Sequence, residues 1–183
     1  MKKQLSQILS VTGVTMAVLL TGCEPLIEYL PPLPRIEIPT QSPPTSQPTQ
    51  SATTKEIEIA IRESINQIRE DEQLSPLQHN ERLAQVARMY SRQMAEQDFF
   101  SHTGIDGSTL AERVRAGGII YWVVGENLFK ATNVPQPVQP AVDGWMDSPG
   151  HRENILLPVF RETGVGVWRV NNTYYITQLF VRR

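Results

Sequence analysis

The side chains in this sequence best suited to chemistry are His102, in Phe99-Phe100-Ser101-His102, Glu126, in Gly125-Glu126-Asn127, and His151, in Ser148-Pro149-Gly150-His151-Arg152. The chain has only 3 histidines, and two of them close this stretch at either end. Imidazole and carboxylate are the groups most used for metal ligation and for proton transfer near neutral pH. Two imidazoles and one carboxylate would make an open three-ligand site for zinc or another divalent ion. The same groups suit a hydrogen-bonded cleft lining, or loops tied together by histidine. Glu126, directly after Gly125, is also suited to accepting backbone N–H bonds and pinning a tight turn. Spacing alone does not choose among these.

Two catalytic patterns compete with these readings. A zinc protease helix would show His-Glu-x-x-His, which is missing. A serine hydrolase needs a serine, a base and an orienting acid. Ser101 and Ser148 stand near the histidines and Glu126 could orient one of them. No Gly-x-Ser-x-Gly elbow exists, however, and Ser148 before Pro149 reads more simply as a helix cap. No catalytic residue is assigned; were the protein an enzyme, His102, Glu126 and His151 would carry the reaction.

The elements that must position these residues follow from periodicity and caps. Thr53-Thr54-Lys55-Glu56 has capping-box spacing, with Ile57, Ala60, Ile61, Ile65 and Ile68 at helical intervals to about Asp71. Leu74-Ser75-Pro76-Leu77 ends that helix. Asn80 caps a second, whose stripe Leu83, Val86, Ala87, Tyr90 and Met94 belongs to the core and which stops at Asp98. His102 then emerges just past a helix end, where a rigid element aims a loop side chain. Ser108 opens a third helix through Ala116, closed by Gly117-Gly118. Ile119 to Val124 runs extended into Gly125. Pro140 opens a fourth helix carrying Val142, Trp145 as a core anchor, and Met146. Ser148-Pro149 starts a short fifth. Asn127 and Asn154 are expected to bond backbone at turn and helix ends. Glu162 to Val170 and Tyr174 to Val181 form a hairpin around Asn171-Asn172.

Upstream of this domain the chain changes character. Lys2, Lys3 and the apolar run Ile8 to Leu20 form a secretory signal, too short for a membrane span. Its end, Leu20-Thr21-Gly22-Cys23, resembles the bacterial lipobox, in which the cysteine is acylated and becomes the mature N-terminus. Residues 24–52 are a Pro/Ser/Thr/Gln-rich tether holding 8 of the 14 prolines, a composition that favours extended chain and buries no core. Residues 53–183 remain for a single domain. Lys plus Arg number 17 against 19 Asp plus Glu, a net charge of −2, so no basic field invites nucleic acid. The 1 cysteine, Cys23, leaves none for a disulfide.

Taken in order, Phe100-Ser101-His102, Gly125-Glu126-Asn127, Trp145-Met146-Asp147-Ser148-Pro149-Gly150-His151-Arg152-Glu153-Asn154-Ile155-Leu156 and Gly164-Val165-Gly166-Val167 resemble the CAP superfamily, also called the SCP domain. The superfamily takes its name from cysteine-rich secretory proteins, antigen five and pathogenesis-related proteins. The resemblance covers residues 57–183. It implies an α+β fold, a three-layer α-β-α sandwich around a small antiparallel sheet, secreted or surface-anchored. It also implies a cleft lined by two histidines and acidic residues, which in some members takes a divalent ion. His102, Glu126 and His151 match the family's two histidines and its Gly-Glu-Asn glutamate. Where the animal pattern has a second glutamate, this chain has Ser148, with Asp147 beside it, so the full tetrad is not present.

The expectation is therefore an extracytoplasmic lipoprotein of the bacterial cell envelope, anchored to the membrane through Cys23. Its cleft would act as a non-enzymatic binding module for a small apolar, lipid-like or peptidic ligand. The alternative is a metal-assisted or serine-type hydrolase acting on envelope peptides.

Overall fold

The computed structural model describes residues 52–183. The expected signal segment, Cys23 and almost all of the tether lie outside the described residues. The element order is α1 (Ala52–Asp71), β1 (Gln78–His79), α2 (Glu81–Glu96), α3 (Leu110–Ala116), β2 (Val123–Thr132), α4 (Val138–Asp147), α5 (Pro149–Leu156), β3 (Glu162–Val170) and β4 (Thr173–Arg182). The four strands lie in the order β1-β3-β4-β2.

β4 explains the layering. Its side chains alternate between faces, as any strand's must, and nearly all of them are buried. Tyr174, Ile176 and Phe180 pack with Ile57, Ile61 and Ile65 of α1, Val142 and Trp145 of α4, and Ile155 of α5. Leu179 and Val181 pack instead with Leu83, Val86 and Ala87 of α2 and Val114 of α3. A strand apolar on both faces must be covered on both. The result is a three-layer α-β-α sandwich, as the family resemblance implied.

β3 is asymmetric in a way the sequence encodes. Val165 and Val167 join the α1 side, while Gly164 and Gly166 face α2. A Cβ on Gly164 would fall onto the backbone of Leu83 and Ala84, and one on Gly166 onto that of Ala87 and Arg88. Glycine at both positions lets α2 lie directly on the sheet.

Several boundaries differ from the sequence expectation. α1 begins at Ala52, so Thr53 is inside the first turn rather than its cap. α2 ends at Glu96, two residues before Asp98, which takes a left-handed φ of 46°. Thr109, not Ser108, caps α3: it accepts from Glu112 N and Glu112 reaches back to its N–H, a complete capping box. α4 starts at Val138, ahead of Pro140. Ser148 holds the cap position of α5 with Pro149 behind it, but its hydroxyl makes no capping bond. The sheet is mixed rather than wholly antiparallel, because the two-residue β1 pairs parallel with β3. Asn80 does cap α2, accepting from Leu83 N at 3.1 Å. Gly118 past α3 takes a φ of 72°, and Asn171 in the hairpin turn takes 52°.

Candidate functional site

Gly125-Glu126-Asn127 is not a turn. It lies inside β2, paired antiparallel with Phe180, Leu179 and Gln178 of β4. The strand sets the orientation of Glu126 rigidly, and its carboxylate pins no backbone. Instead Oε1 accepts from His102 Nδ1 at 2.8 Å and Oε2 accepts from an Arg113 guanidinium N–H at 2.8 Å. The Glu126 side chain is only 2% exposed. A buried charge is tolerable when it is paired and its oxygens are hydrogen-bonded, and both conditions hold here.

Arg113 is the residue the sequence reading missed. It sits in the last turn of α3, where a cation ordinarily only complements the helix dipole. Here it stays largely buried and reaches across the site. One amino group donates to the carbonyls of His102 and Ser108 at 3.1 and 3.0 Å, and the other meets Glu126. Its carbon lies 3.5 Å from the Tyr90 ring centroid, a cation–π contact. Tyr90 in turn donates its hydroxyl to the Ser101 carbonyl at 2.6 Å. Burial, reinforced by the Glu126 and Asp106 charges and opposed by Arg113, pushes the Tyr90 phenol up to about 12, so it serves as a donor at any ordinary pH. The loop leaving α2 is thus held at Ser101, His102 and Ser108 by two side chains beneath it.

His151 comes to the same place from the other direction. It lies in the first turn of α5, and Asn127 Nδ2 donates to its carbonyl at 3.1 Å. Asn154 Nδ2 donates to the Glu126 carbonyl at 3.1 Å and to Asn127 Oδ1 at 2.9 Å. Both asparagines therefore bond backbone, as expected, and they bolt α5 to β2. Gly125 leaves the space for this: a Cβ there would stand 2.9 Å from Asn154 Oδ1 and 2.9 Å from the Phe160 ring.

All three sequence-predicted residues are brought together. The imidazoles of His102 and His151 are 6.2 Å apart between ring centroids, tilted by 43°. Burial, and then the neighbouring His102, hold the His151 imidazole below the ordinary histidine range. His102 meets Glu126 through Nδ1, so Nε2 is turned away from the carboxylate on a ring whose side chain is 59% exposed. The His102 ring is exposed and the His151 ring half-buried. A separate concavity of about 370 Å³ lies beside β1, lined by Gln78, His79, Asn80 and Glu162 among others.

The three-ligand metal set does not fit this geometry. Both oxygens of Glu126 are committed, one of them to the nitrogen of a would-be ligand, and the second to a cation. Among the described residues no group of three or more His, Cys, Asp or Glu side chains is placed to hold a metal ion. Neither Ser101 nor Ser148 is hydrogen-bonded to an imidazole; the Ser101 hydroxyl accepts from Thr103 N.

Comparisons with known proteins accord with the fold. A family model, the cysteine-rich secretory protein family (CAP), matches residues 62–181. The protein YkwD of Bacillus subtilis is 38% identical over 104 residues, 57% of this chain and 39% of that protein. The membrane protein YlbC of the same organism is 36% identical over 119 residues, 64% of this chain and 32% of that protein. The chain thus spans well under half the length of these curated relatives. Among solved structures, an extracellular SCP-domain protein of Bacillus anthracis is 32% identical with a TM-score of 0.59, over 75% of this chain and 45% of that one. An outer surface protein of Borrelia burgdorferi shares the fold, at 24% identity and a TM-score of 0.65 over 71% of this chain and 95% of that one.

Proposed function

Given that the chain belongs to the CAP family of cysteine-rich secretory proteins, we propose that it is an extracytoplasmic binding module, tethered to the membrane through acylated Cys23. Its His102–Glu126–His151 face takes a small apolar, lipid-like or peptidic ligand and releases it unchanged. The observation that carries this reading is the state of Glu126. Its carboxylate is buried and both oxygens are engaged, so it holds His102 in place and is not available as a base. What the ligand meets is two fixed polar groups, His102 Nε2 and the His151 ring, together with apolar side chains of the His102 loop. Phe100 and Ile105, on the loop that carries His102, are 46% and 66% exposed and supply apolar contact. A few fixed polar groups set among apolar side chains give a binding site both affinity and orientation for an amphipathic ligand.

The anchor rests on Leu20-Thr21-Gly22-Cys23 and on the extracellular or surface origin of the structural relatives. Among the described residues no helix is long and apolar enough to cross a membrane.

One observation favours a second reading. A carboxylate on Nδ1 that leaves Nε2 outward is also how an orienting acid prepares a histidine base. In that reading His102 would activate a bound water on a peptide or ester. The experiment is a screen of the purified full chain against a broad ester and peptide library, with binding followed in parallel by calorimetry. The binding reading expects saturable uptake of at least one compound without turnover, weakened about tenfold or more in His102→Ala and His151→Ala. Turnover that disappears in His102→Ala would replace it with the hydrolase.

A further inference from the structure

The loop joining α3 to β2 carries an apolar tip that neither the core nor the candidate site uses. Gly118, with its φ of 72°, launches the segment, and its side chains then alternate. Ile119 and Tyr121 turn inward: Ile119 is buried with Leu179 and Val181, and Tyr121 packs on the same cluster while its hydroxyl donates to the Ala111 carbonyl at 3.3 Å. Ile120 and Trp122 are thereby forced outward, at 83% and 84% exposure the most exposed of the large apolar side chains described. The tip is not a loose end. Trp122 N donates to the Arg182 carbonyl at 2.8 Å, directly ahead of the β2–β4 ladder, and Val123 beside it is also exposed. Isolated surface hydrophobics need no explanation, but two held rigidly outward side by side on one protruding tip do.

Basic side chains flank the tip, and the acidic ones nearest it are engaged elsewhere: Glu112 is bonded to Thr109, Glu81 to Arg88 and Glu162 to Arg183. No Asp or Glu occurs between Arg113 and Gly125, and none follows Glu162, in a chain whose net charge is −2. Arg113 is turned inward to Glu126, and Arg183 pairs with Glu162 at 2.8 Å. That leaves Arg115, stacked 5.6 Å from the Tyr121 ring, and Arg182, opposite Val123 across the ladder. Both are exposed, and neither makes an ion pair among the described residues.

We propose that Ile120 and Trp122 insert into the interfacial region of an anionic lipid bilayer, with Arg115 and Arg182 against its headgroups, and so dock the domain onto the membrane in one orientation. Indole is the side chain that prefers the boundary between water and hydrocarbon, and basic residues near an anionic leaflet add electrostatic attraction. A protruding tip two side chains wide suits a fluid bilayer, which closes around a wedge. A protein partner would need a groove of matching shape. The inference is independent of the ligand at His102 and His151, and draws on the proposed tether only for keeping the domain near the surface.

The test uses the full chain carrying Cys23→Ser, so that no acyl group contributes, mixed with vesicles of phosphatidylcholine alone or with phosphatidylglycerol. The chain has 3 tryptophans, so subtracting the spectrum of Trp122→Phe isolates the emission of Trp122. The expected result is a blue shift of that emission and its quenching by brominated acyl chains, in the anionic vesicles. Each arginine is expected to contribute about fivefold in affinity, so Arg115→Glu with Arg182→Glu should weaken binding by about 25-fold or more. Trp122 emission that stays at its water-exposed maximum and remains open to iodide would overturn the proposal, even if the chain sediments with vesicles through residues 8–20. So would equal quenching in vesicles without anionic lipid, or a blue shift that appears without lipid as protein concentration rises, which would mark contact with a second copy. His102→Ala should leave the quenching unchanged, which separates failure of this inference from failure of the binding-site reading.

Discussion

Arg113→Met is the sharpest perturbation of the site, since it removes the guanidinium and keeps much of the stem. It leaves Glu126, 2% exposed, with His102 as its one remaining partner. Breaking a buried pair from one side costs about 3–5 kcal/mol, because the surviving charge is stranded. His102 still holds one oxygen, which argues for the lower end, about 3 kcal/mol. For a domain of this size that corresponds to a fall in Tm of roughly 10 °C. The distinctive expectation lies in the double variant. Arg113→Met with Glu126→Gln leaves no stranded charge, so it should recover about 2 kcal/mol relative to Arg113→Met alone, a coupling within the range seen for touching residues. Urea unfolding of the full chain followed by circular dichroism measures both. If Arg113→Met costs under about 1 kcal/mol, or if the double variant is no more stable than the single, Glu126 is not the clamped charge described above.

Gly125→Ala should cost about 1–3 kcal/mol, since the new methyl meets Asn154 and Phe160, whereas Gly166→Ala should do worse because its methyl meets helix backbone that cannot move aside; thermal unfolding of the two variants ranks them. His151 has its folded pKa lowered by burial and by His102, so the unfolded chain takes up the proton first. Its contribution is therefore fully present above the unfolded value of about 6.5 and is lost as pH falls through the lower folded value. A stability profile from pH 7.5 to 4.5 should decline less steeply over that window in His151→Gln, and identical slopes would remove the assignment. Cys23→Ser combined with Trp122→Asp should release the protein from membranes in salt-washed fractions; persistent association of that double variant would rule out the lipid anchor.

How much of this could be read beforehand depended on whether a residue's role was local. His102, Glu126 and His151 were legible as chemistry-bearing types in recognisable motifs, and the α2 stripe and the β3–β4 hairpin were legible as periodicity. Arg113 and Tyr90 were not. Each has an ordinary explanation on its own helix, a cation near a C-terminus and a core aromatic, and only the packing of α3 against α2 turns them toward Glu126. Gly125-Glu126-Asn127 misled because glycine and asparagine favour turns, and here tertiary pairing with β4 overrides that preference. The glycine is needed for Asn154 and Phe160, not for its φ. The cap of α3 is written in the sequence, since Thr109 and Glu112 stand at capping-box spacing one residue past Ser108. β1 was not: two residues carry no period.

The central claim is that the His102–His151 face holds a ligand and leaves it intact. Native mass spectrometry of the purified full chain, after incubation with an envelope extract of lipids and peptides, tests it most directly. The predicted result is one non-covalent adduct per chain whose released mass equals that of a compound already in the extract, and its loss in both His102→Ala and His151→Ala. A released mass that corresponds to a cleaved product, absent from the untreated extract and from the His102→Ala incubation, would contradict it.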